Sequence, residues 1–179
     1  MLALAFAFAL AASPKVGEVA PDFTAKDIDG KELTLSALVK QGPVVLAFVP
    51  KAFTGGCTRE MEGYRDRFKE FEAQGARILV VSMDDDAKLK EWREALKAPQ
   101  TFIADPTGSL VRRFDTKMPV VSLSSRVTFV IGPERTVLAV DEGSTAIDPS
   151  GAVKACALRP KVQGADAGTA AQASPSTRP

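Results

Sequence analysis

Short continuous apolar runs alternate along this chain with segments whose apolar residues have helical spacing. Four runs predict strands, at residues 44–49, 78–83, 127–131 and 136–140. Brief apolar runs bounded by Gly or Pro are typical of strands buried in a sheet. The first run follows Gly42-Pro43 and stops at Pro50, and the last two are separated by a turn-forming Gly-Pro-Glu-Arg segment. We therefore predict a sheet that closes with a hairpin.

The segments between the runs predict three helices, each with one apolar face. Their apolar residues are Cys57, Met61, Tyr64, Phe68 and Phe71 in the first helix, Leu89, Trp92 and Leu96 in the second, and Val153, Cys156 and Ala157 in the third. We expect Asp148 to cap the third helix and Pro149 to be its first residue. Strands that alternate with helices favour an α/β fold, with a central mixed β-sheet flanked by helices.

The two ends of the chain differ in composition from the part between them. Residues 1–12 are an uninterrupted apolar run, too short to span a bilayer as a helix. The run is similar to the apolar part of a secretory signal, with Ala-Leu-Ala at 9–11 as a cleavage site, although no Lys or Arg precedes Lys15. We expect a signal-like segment at 1–14 and a periplasmic or exported protein, with a cytoplasmic location as the alternative.

Residues 160–179 are dominated by Ala, Gly, Ser, Thr and Pro and contain no aromatic residue. Such a segment buries too little apolar surface to offset the entropy of ordering it, so a disordered tail is predicted. The folded domain is then expected at residues 15–159, a length that fits one hydrophobic core.

Composition excludes several functions. Charged residues make up 25% of the chain, apolar residues 45%, and the net charge is +1, so neither nucleic-acid binding nor stable membrane insertion is expected. The chain has no histidine, which excludes Ser/His and Cys/His catalysis and any metal site built on imidazole. Its two cysteines alone do not form a metal cage, so we expect no metal and no other cofactor.

Two motifs resemble the peroxiredoxin family, the AhpC/TSA superfamily. The segment from Pro50 through Thr54 to Cys57 is similar to the family's Pro-x-x-x-Thr/Ser-x-x-Cys motif, and it lies between a predicted buried strand and a predicted long helix. The Arg-Val-Thr-Phe sequence that begins at Arg126 resembles the strand that carries the family's active-site arginine. Together with Val-Gly-x-x-Ala-Pro-x-Phe at 16–23, the resemblance covers residues 16–140 and implies a thioredoxin-like fold.

Within the family, the sequence shares features with two groups. Cys-Thr-Arg-Glu at 57–60 looks like the bacterioferritin-comigratory, or Q-type, enzymes, which often carry a resolving cysteine five residues after the first. Here that position is Glu62. Ala-Phe-Thr-Gly at 52–55 looks more like the AhpE-type one-cysteine enzymes.

The resemblance implies a thiol peroxidase that reduces hydrogen peroxide or organic hydroperoxides. Cys57 would attack the peroxide and become a sulfenic acid, which a thioredoxin-like protein or a small thiol would reduce. The family includes monomers and homodimers. Ionisation alone does not make a fast peroxidase, because a thiol of lower pKa is also a weaker nucleophile. Polarisation of the oxygen–oxygen bond must therefore supply most of the rate.

The same resemblance assigns roles to the residues around the thiol. Thr54 would hydrogen-bond the peroxide, and the backbone amides of Gly56 and Cys57 would hold its oxygens. Arg126 would stabilise the thiolate and the developing negative charge, since its fork of donors suits two neighbouring oxygens. Pro50 would keep water out.

Glu60, one turn into the helix, is a candidate to orient Arg126 by ion pairing. Its alternative role is favourable electrostatics at the helix start.

Three alternatives stay open at this point. Cys156 is either a resolving cysteine on a late helix or a small residue of the core. A thioredoxin-type disulfide oxidoreductase needs Cys-x-x-Cys, and the second cysteine position is Glu60 here. A redox-inactive binding module with the same fold is the third possibility, and the intact motif residues count against it.

Overall fold

The computed structural model describes residues 12–158. The predicted tail at 160–179 and the predicted signal-like segment, apart from residues 12–14, lie outside this range. Within it, no helix is both long enough and apolar enough to cross a membrane.

In the described part of the chain, seven strands form one two-stranded and one five-stranded sheet. The strands are β1 (Thr24–Lys26), β2 (Glu32–Thr34), β3 (Val44–Phe48), β4 (Arg77–Ser82), β5 (Thr101–Ala104), β6 (Val127–Ile131) and β7 (Val137–Glu142). The five-stranded sheet has the order β5-β4-β3-β6-β7. Because β3 is parallel to β4 and antiparallel to β6, the sheet is mixed, as predicted. All four predicted strands are confirmed.

Six helices cover the two faces of this sheet: α1 (Leu35–Leu38), α2 (Gly55–Asp66), α3 (Phe68–Ala73), α4 (Asp86–Leu96), α5 (Ser109–Arg113) and α6 (Ser150–Ala157). Residues of α2, α3, α4 and α6 pack in one hydrophobic cluster, and residues of α1, α5 and the β1–β2 hairpin pack in the other. The α/β prediction with helices on both faces is confirmed.

Strand β3 is the centre of the molecule and belongs to both clusters. Alternate side chains of a strand point to opposite faces. Accordingly Val44, Leu46 and Phe48 lie in one cluster and Val45 and Val49 in the other, and all five are fully buried. With a paired strand on each side, the carboxyl end of β3 is a rigid support for the loop that follows it.

Two helix predictions need correction. The long helix expected over Cys57–Phe71 is interrupted at Arg67, whose φ of −103° and ψ of 12° leave helical geometry, so α2 and α3 are separate. The Arg67 guanidinium bonds Glu70 at 2.8 Å and the Ser150 hydroxyl at 2.7 Å, and these contacts stabilise the break. Phe68 is only partly buried as a result.

The start of α6 is displaced by one residue from the prediction. Pro149 occupies the cap position, and the helix begins at Ser150, whose amide donates to the Asp148 carboxylate at 2.9 Å. Val153 and Cys156 are buried as predicted, whereas Ala157 is exposed.

Candidate active site

Cys57 is the third residue of α2, in the turn that follows β3 and its loop. Its side chain is fully buried. The first amides of a helix have no intrahelical acceptor, and the helix dipole is positive at this end. The first turn of α2 therefore presents the Gly56 and Cys57 amides, predicted as substrate-binding groups, in a place that favours negative charge.

The loop between β3 and α2 is held in a strained conformation. Phe53 has a φ of 62°, which is unfavourable for a residue with a side chain. The neighbouring Ala52 amide donates to the Asp84 carboxylate at 2.7 Å, and the Phe53 ring lies 6.4 Å from the Trp92 ring. These contacts stabilise the loop in the geometry that positions Cys57.

Asp84 is a support for this loop that the sequence analysis missed. Burial opposes its ionisation, but hydrogen bonds from Lys88, the Ala52 amide and Ser82 together hold its pKa below the usual range. A signal was available, because Asp84 follows β4, and polar residues after adjacent parallel strands meet at one edge of the sheet.

Arg126 immediately precedes β6, and its side chain reaches Cys57. Its Nη2 donates to the Cys57 sulfur at 3.4 Å, and its Nη1 donates to the Glu60 carboxylate. The sheet brings them together, because β6 pairs with β3 and Val127 lies opposite Phe48. The predicted association of Cys57, Glu60 and Arg126 is present in the structure.

Gly56 permits this approach of the guanidinium. A Cβ atom at position 56 would lie 2.8 Å from Nη2 of Arg126, closer than real contacts allow. At the preceding Gly55, a Cβ atom would meet nothing within 4 Å. Of these two adjacent glycines, therefore, only Gly56 is needed to leave space for the Arg126 side chain.

Glu60 is fully buried beside its cationic partner. Burial raises the pKa of Glu60 to about 7, and Arg126 and Thr128 partly oppose that rise. Only one of the two carboxylate oxygens is paired: Oε1 is buried and has no hydrogen-bond partner among residues 12–158. Burial therefore favours the neutral carboxyl, and the Arg126 guanidinium favours the carboxylate.

Thr54 and Pro50 lie at the two ends of the loop between β3 and α2. Thr54 is exposed and precedes α2, and its hydroxyl donates to the Lys51 carbonyl at 2.9 Å without capping the helix. Pro50 is half-buried and lines an open cavity of about 480 Å³ together with Met118, Arg126 and Val127. The positions agree with the predicted roles of Thr54 and Pro50, which stay predictions.

Cys156 lies on α6 in the hydrophobic cluster that also contains Cys57. Both thiols are free and buried. Burial raises the pKa of the Cys156 thiol to about 12. In this conformation Cys156 is a buried core residue, and its burial opposes formation of the thiolate; its predicted role as a possible resolving cysteine stays a prediction. Among residues 12–158, no group of three or more potential metal ligands is present.

Comparison with known proteins connects this geometry to a family. The model of the AhpC/TSA family matches residues 16–140. A candidate peroxiredoxin of Mycobacterium tuberculosis, Rv1608c, is 35% identical over 141 residues, which cover 75% of this chain and 89% of that protein. Chloroplastic peroxiredoxin Q of Oryza sativa subsp. japonica is 39% identical over 97 residues, 54% of this chain and 44% of that protein.

Solved structures of proteins from the same family are also similar to this chain. The crystal structure of peroxidoxin BcpB from Mycobacterium tuberculosis superposes with a TM-score of 0.73 at 35% identity, covering 80% of this chain and 95% of that chain. Xanthomonas campestris peroxiredoxin Q superposes with a TM-score of 0.66 at 25% identity, covering 75% of this chain and 88% of that chain.

The two glycines before Cys57 provide a matched pair of variants. Gly56→Ala should displace the guanidinium from the sulfur and lower the rate of Cys57 oxidation by hydrogen peroxide by about 10², the loss typical when one charge-stabilising donor is removed. Gly55→Ala should leave that rate unchanged. Stopped-flow fluorescence of Trp92 measures both. Equal rates for the two variants would contradict the role given to Gly56.

Burial of Glu60 predicts a pH-dependent stability. Because its pKa is higher in the folded state than in the unfolded chain, the folded state binds more protons between about pH 4.5 and about pH 7. As the pH rises through this range, the free energy of unfolding should therefore fall, and Glu60 should contribute up to about 3 kcal/mol of this decrease. Urea unfolding at several pH values should show a flatter dependence for Glu60→Gln. A variant whose pH dependence equals that of the unchanged protein would contradict the raised pKa.

Proposed function

Because the chain belongs to the AhpC/TSA family and is a peroxiredoxin, a thiol peroxidase, we propose that it reduces hydrogen peroxide or organic hydroperoxides through a sulfenic acid at Cys57. The observation that carries this proposal is the position of Arg126. One nitrogen of its guanidinium bonds the sulfur and another bonds Glu60, at the positive end of α2.

The proposed step transfers one oxygen atom. The Cys57 thiolate attacks the nearer peroxide oxygen, the sulfur–oxygen bond forms and the oxygen–oxygen bond breaks. Sulfur is oxidised to the sulfenic acid, and the leaving oxygen is reduced and takes a proton from solvent to become water or an alcohol. Two equivalents of a thiol then return Cys57 to the thiol and release water and a disulfide.

The residues around the sulfur act on the charge that moves in this step. Negative charge shifts from sulfur to the leaving oxygen. Arg126 donates to the sulfur, and we assign the Gly56 and Cys57 amides, in the first turn of α2, to the peroxide oxygens. Fixed donors of this kind stabilise a transition state without reorganisation. In this proposal the exposed Thr54 hydroxyl, which donates to the Lys51 carbonyl, also accepts a hydrogen bond from the peroxide, and Pro50 limits the access of water.

The proposed mechanism uses one cysteine of the protein. Cys156 is buried, its pKa is raised, and α6 packs against β6 and β7. Its attack on the sulfenic acid would require α6 to open. We therefore assign the reduction of Cys57 to an external thiol, from a thioredoxin-like protein or a small molecule.

A thioredoxin-type exchange reaction is less well supported. It needs a second thiol one helical turn after the first, and that position is the buried Glu60, which is paired with Arg126. The described free cysteines are Cys57 and Cys156, and Cys156 lies on a different helix, α6. Export of the protein is proposed from the apolar segment at 1–12 alone, and fractionation of cells that express the full chain tests it.

Intact mass measured after one equivalent of hydrogen peroxide tests the proposed chemistry. We expect the fully reduced protein and Cys156→Ser to gain one oxygen, and Cys57→Ser to remain unchanged. The signal should disappear on addition of a thiol. Loss of two hydrogens would instead show a disulfide and contradict the one-cysteine mechanism. An unchanged mass, with Cys57 still open to alkylation, would contradict the peroxidase proposal itself.

A further inference from the structure

Behind Glu60, the facing sides of α2 and β6 carry a buried row of polar groups. Glu60 and Tyr64 are four residues apart and so share one face of α2 with Cys57. Arg126 and Thr128 are two residues apart and so point to the same side of the extended chain at β6. Glu60 and Thr128 are fully buried, and Tyr64 is 1% exposed.

Two oxygens in this row have no hydrogen-bond partner within the described part of the chain. They are Glu60 Oε1 and Thr128 Oγ1. A buried carboxylate oxygen and a buried hydroxyl are both costly when unpaired. The Thr128 hydroxyl lies beside both Glu60 and Tyr64, where it opposes the rise in pKa that burial causes in each group, so it is the neighbouring group able to bond them.

The chemistry of the groups fixes the direction of the bonds. In the ionised form that pairs with Arg126, the Glu60 carboxylate only accepts, so Thr128 donates to it and the Thr128 oxygen is then free to accept from Tyr64. Burial raises the pKa of Tyr64, and the charges of Glu60, Asp141 and Cys156 act in the same direction, so the phenol keeps its proton. Asp141, on β7, lies against α6, with Oδ2 at 2.7 Å from the Cβ position of Gly151.

We infer that Thr128 is a positioning residue: its hydroxyl donates to Glu60 Oε1 and accepts from the Tyr64 hydroxyl. These two hydrogen bonds keep Glu60 ionised and directed at Arg126. The inference rests on the proposed function, because its effect on activity passes through Arg126 and Cys57. Thr128 touches neither the peroxide nor the sulfur. Its absence changes how much of Glu60 is charged at a given pH.

Three variants separate this role from packing. Thr128→Val keeps the shape of the side chain and removes the hydroxyl, and Thr128→Ser keeps the hydroxyl and removes the methyl group. Tyr64→Phe removes the second link. The protonation of Glu60 is followed by infrared titration of the carboxyl group, with Glu60→Gln identifying its band. The rate of Cys57 oxidation by hydrogen peroxide is measured over the same pH range.

In Thr128→Val we expect the midpoint of the Glu60 titration to rise by about one pH unit, with about a tenfold lower oxidation rate on the acid side of the profile. Tyr64→Phe should shift the midpoint and the rate in the same directions by smaller amounts. Thr128→Ser, which keeps the hydroxyl, should have the midpoint and the rate of the unchanged protein. An unmoved midpoint in Thr128→Val overturns the inference. So does a Thr128→Ser protein impaired as much as Thr128→Val.

The carboxyl titration separates this inference from the proposed function. If the unchanged protein fails to react with peroxide, the proposed function is wrong, but the infrared midpoints still report whether Thr128 bonds Glu60.

Discussion

The contact between the Arg126 guanidinium and the Cys57 sulfur depends on several parts of the chain at once. The pairing of β6 with β3 delivers Arg126, and the loop fixed by Asp84 delivers Cys57. Gly56 leaves the space between them. A positive and a negative group in a buried site attract each other strongly, but each loses hydration. Glu60 supplies a counter-charge to Arg126, and its burial, which raises its pKa, opposes that charge.

Much of this could be predicted from the sequence. The apolar runs at β3, β4, β6 and β7 identified four of the five strands of the main sheet, because the buried positions of a strand are mostly apolar. The spacing from Pro50 to Cys57 and the distant Arg126 identified the centre of the site through their resemblance to a family. Glu60, one helical turn after Cys57, was a candidate to pair with Arg126, but its position alone left favourable electrostatics at the helix start as the alternative.

Other features depend on contacts that a linear pattern does not show. Strand β5 is four residues long, and β1 and β2 are three each, so their patterns are too brief to identify. The break at Arg67 is stabilised by the Ser150 hydroxyl, 83 residues away in the chain. The positive φ of Phe53 and the support from Asp84 follow from the packing of the loop. Thr128 is the polar residue of the otherwise apolar strand β6, so the pattern along the chain does not indicate that its buried hydroxyl has a role.

The most direct test of this account is the second-order rate constant for oxidation of Cys57 by hydrogen peroxide in Arg126→Met, with Arg126→Lys for comparison. If the guanidinium polarises the peroxide, the rate for Arg126→Met should fall by about 10² to 10³, and a lysine should recover little because it lacks the fork of donors. Circular dichroism would verify that both variants are folded. A folded Arg126→Met protein that reacts at nearly the original rate would contradict the account.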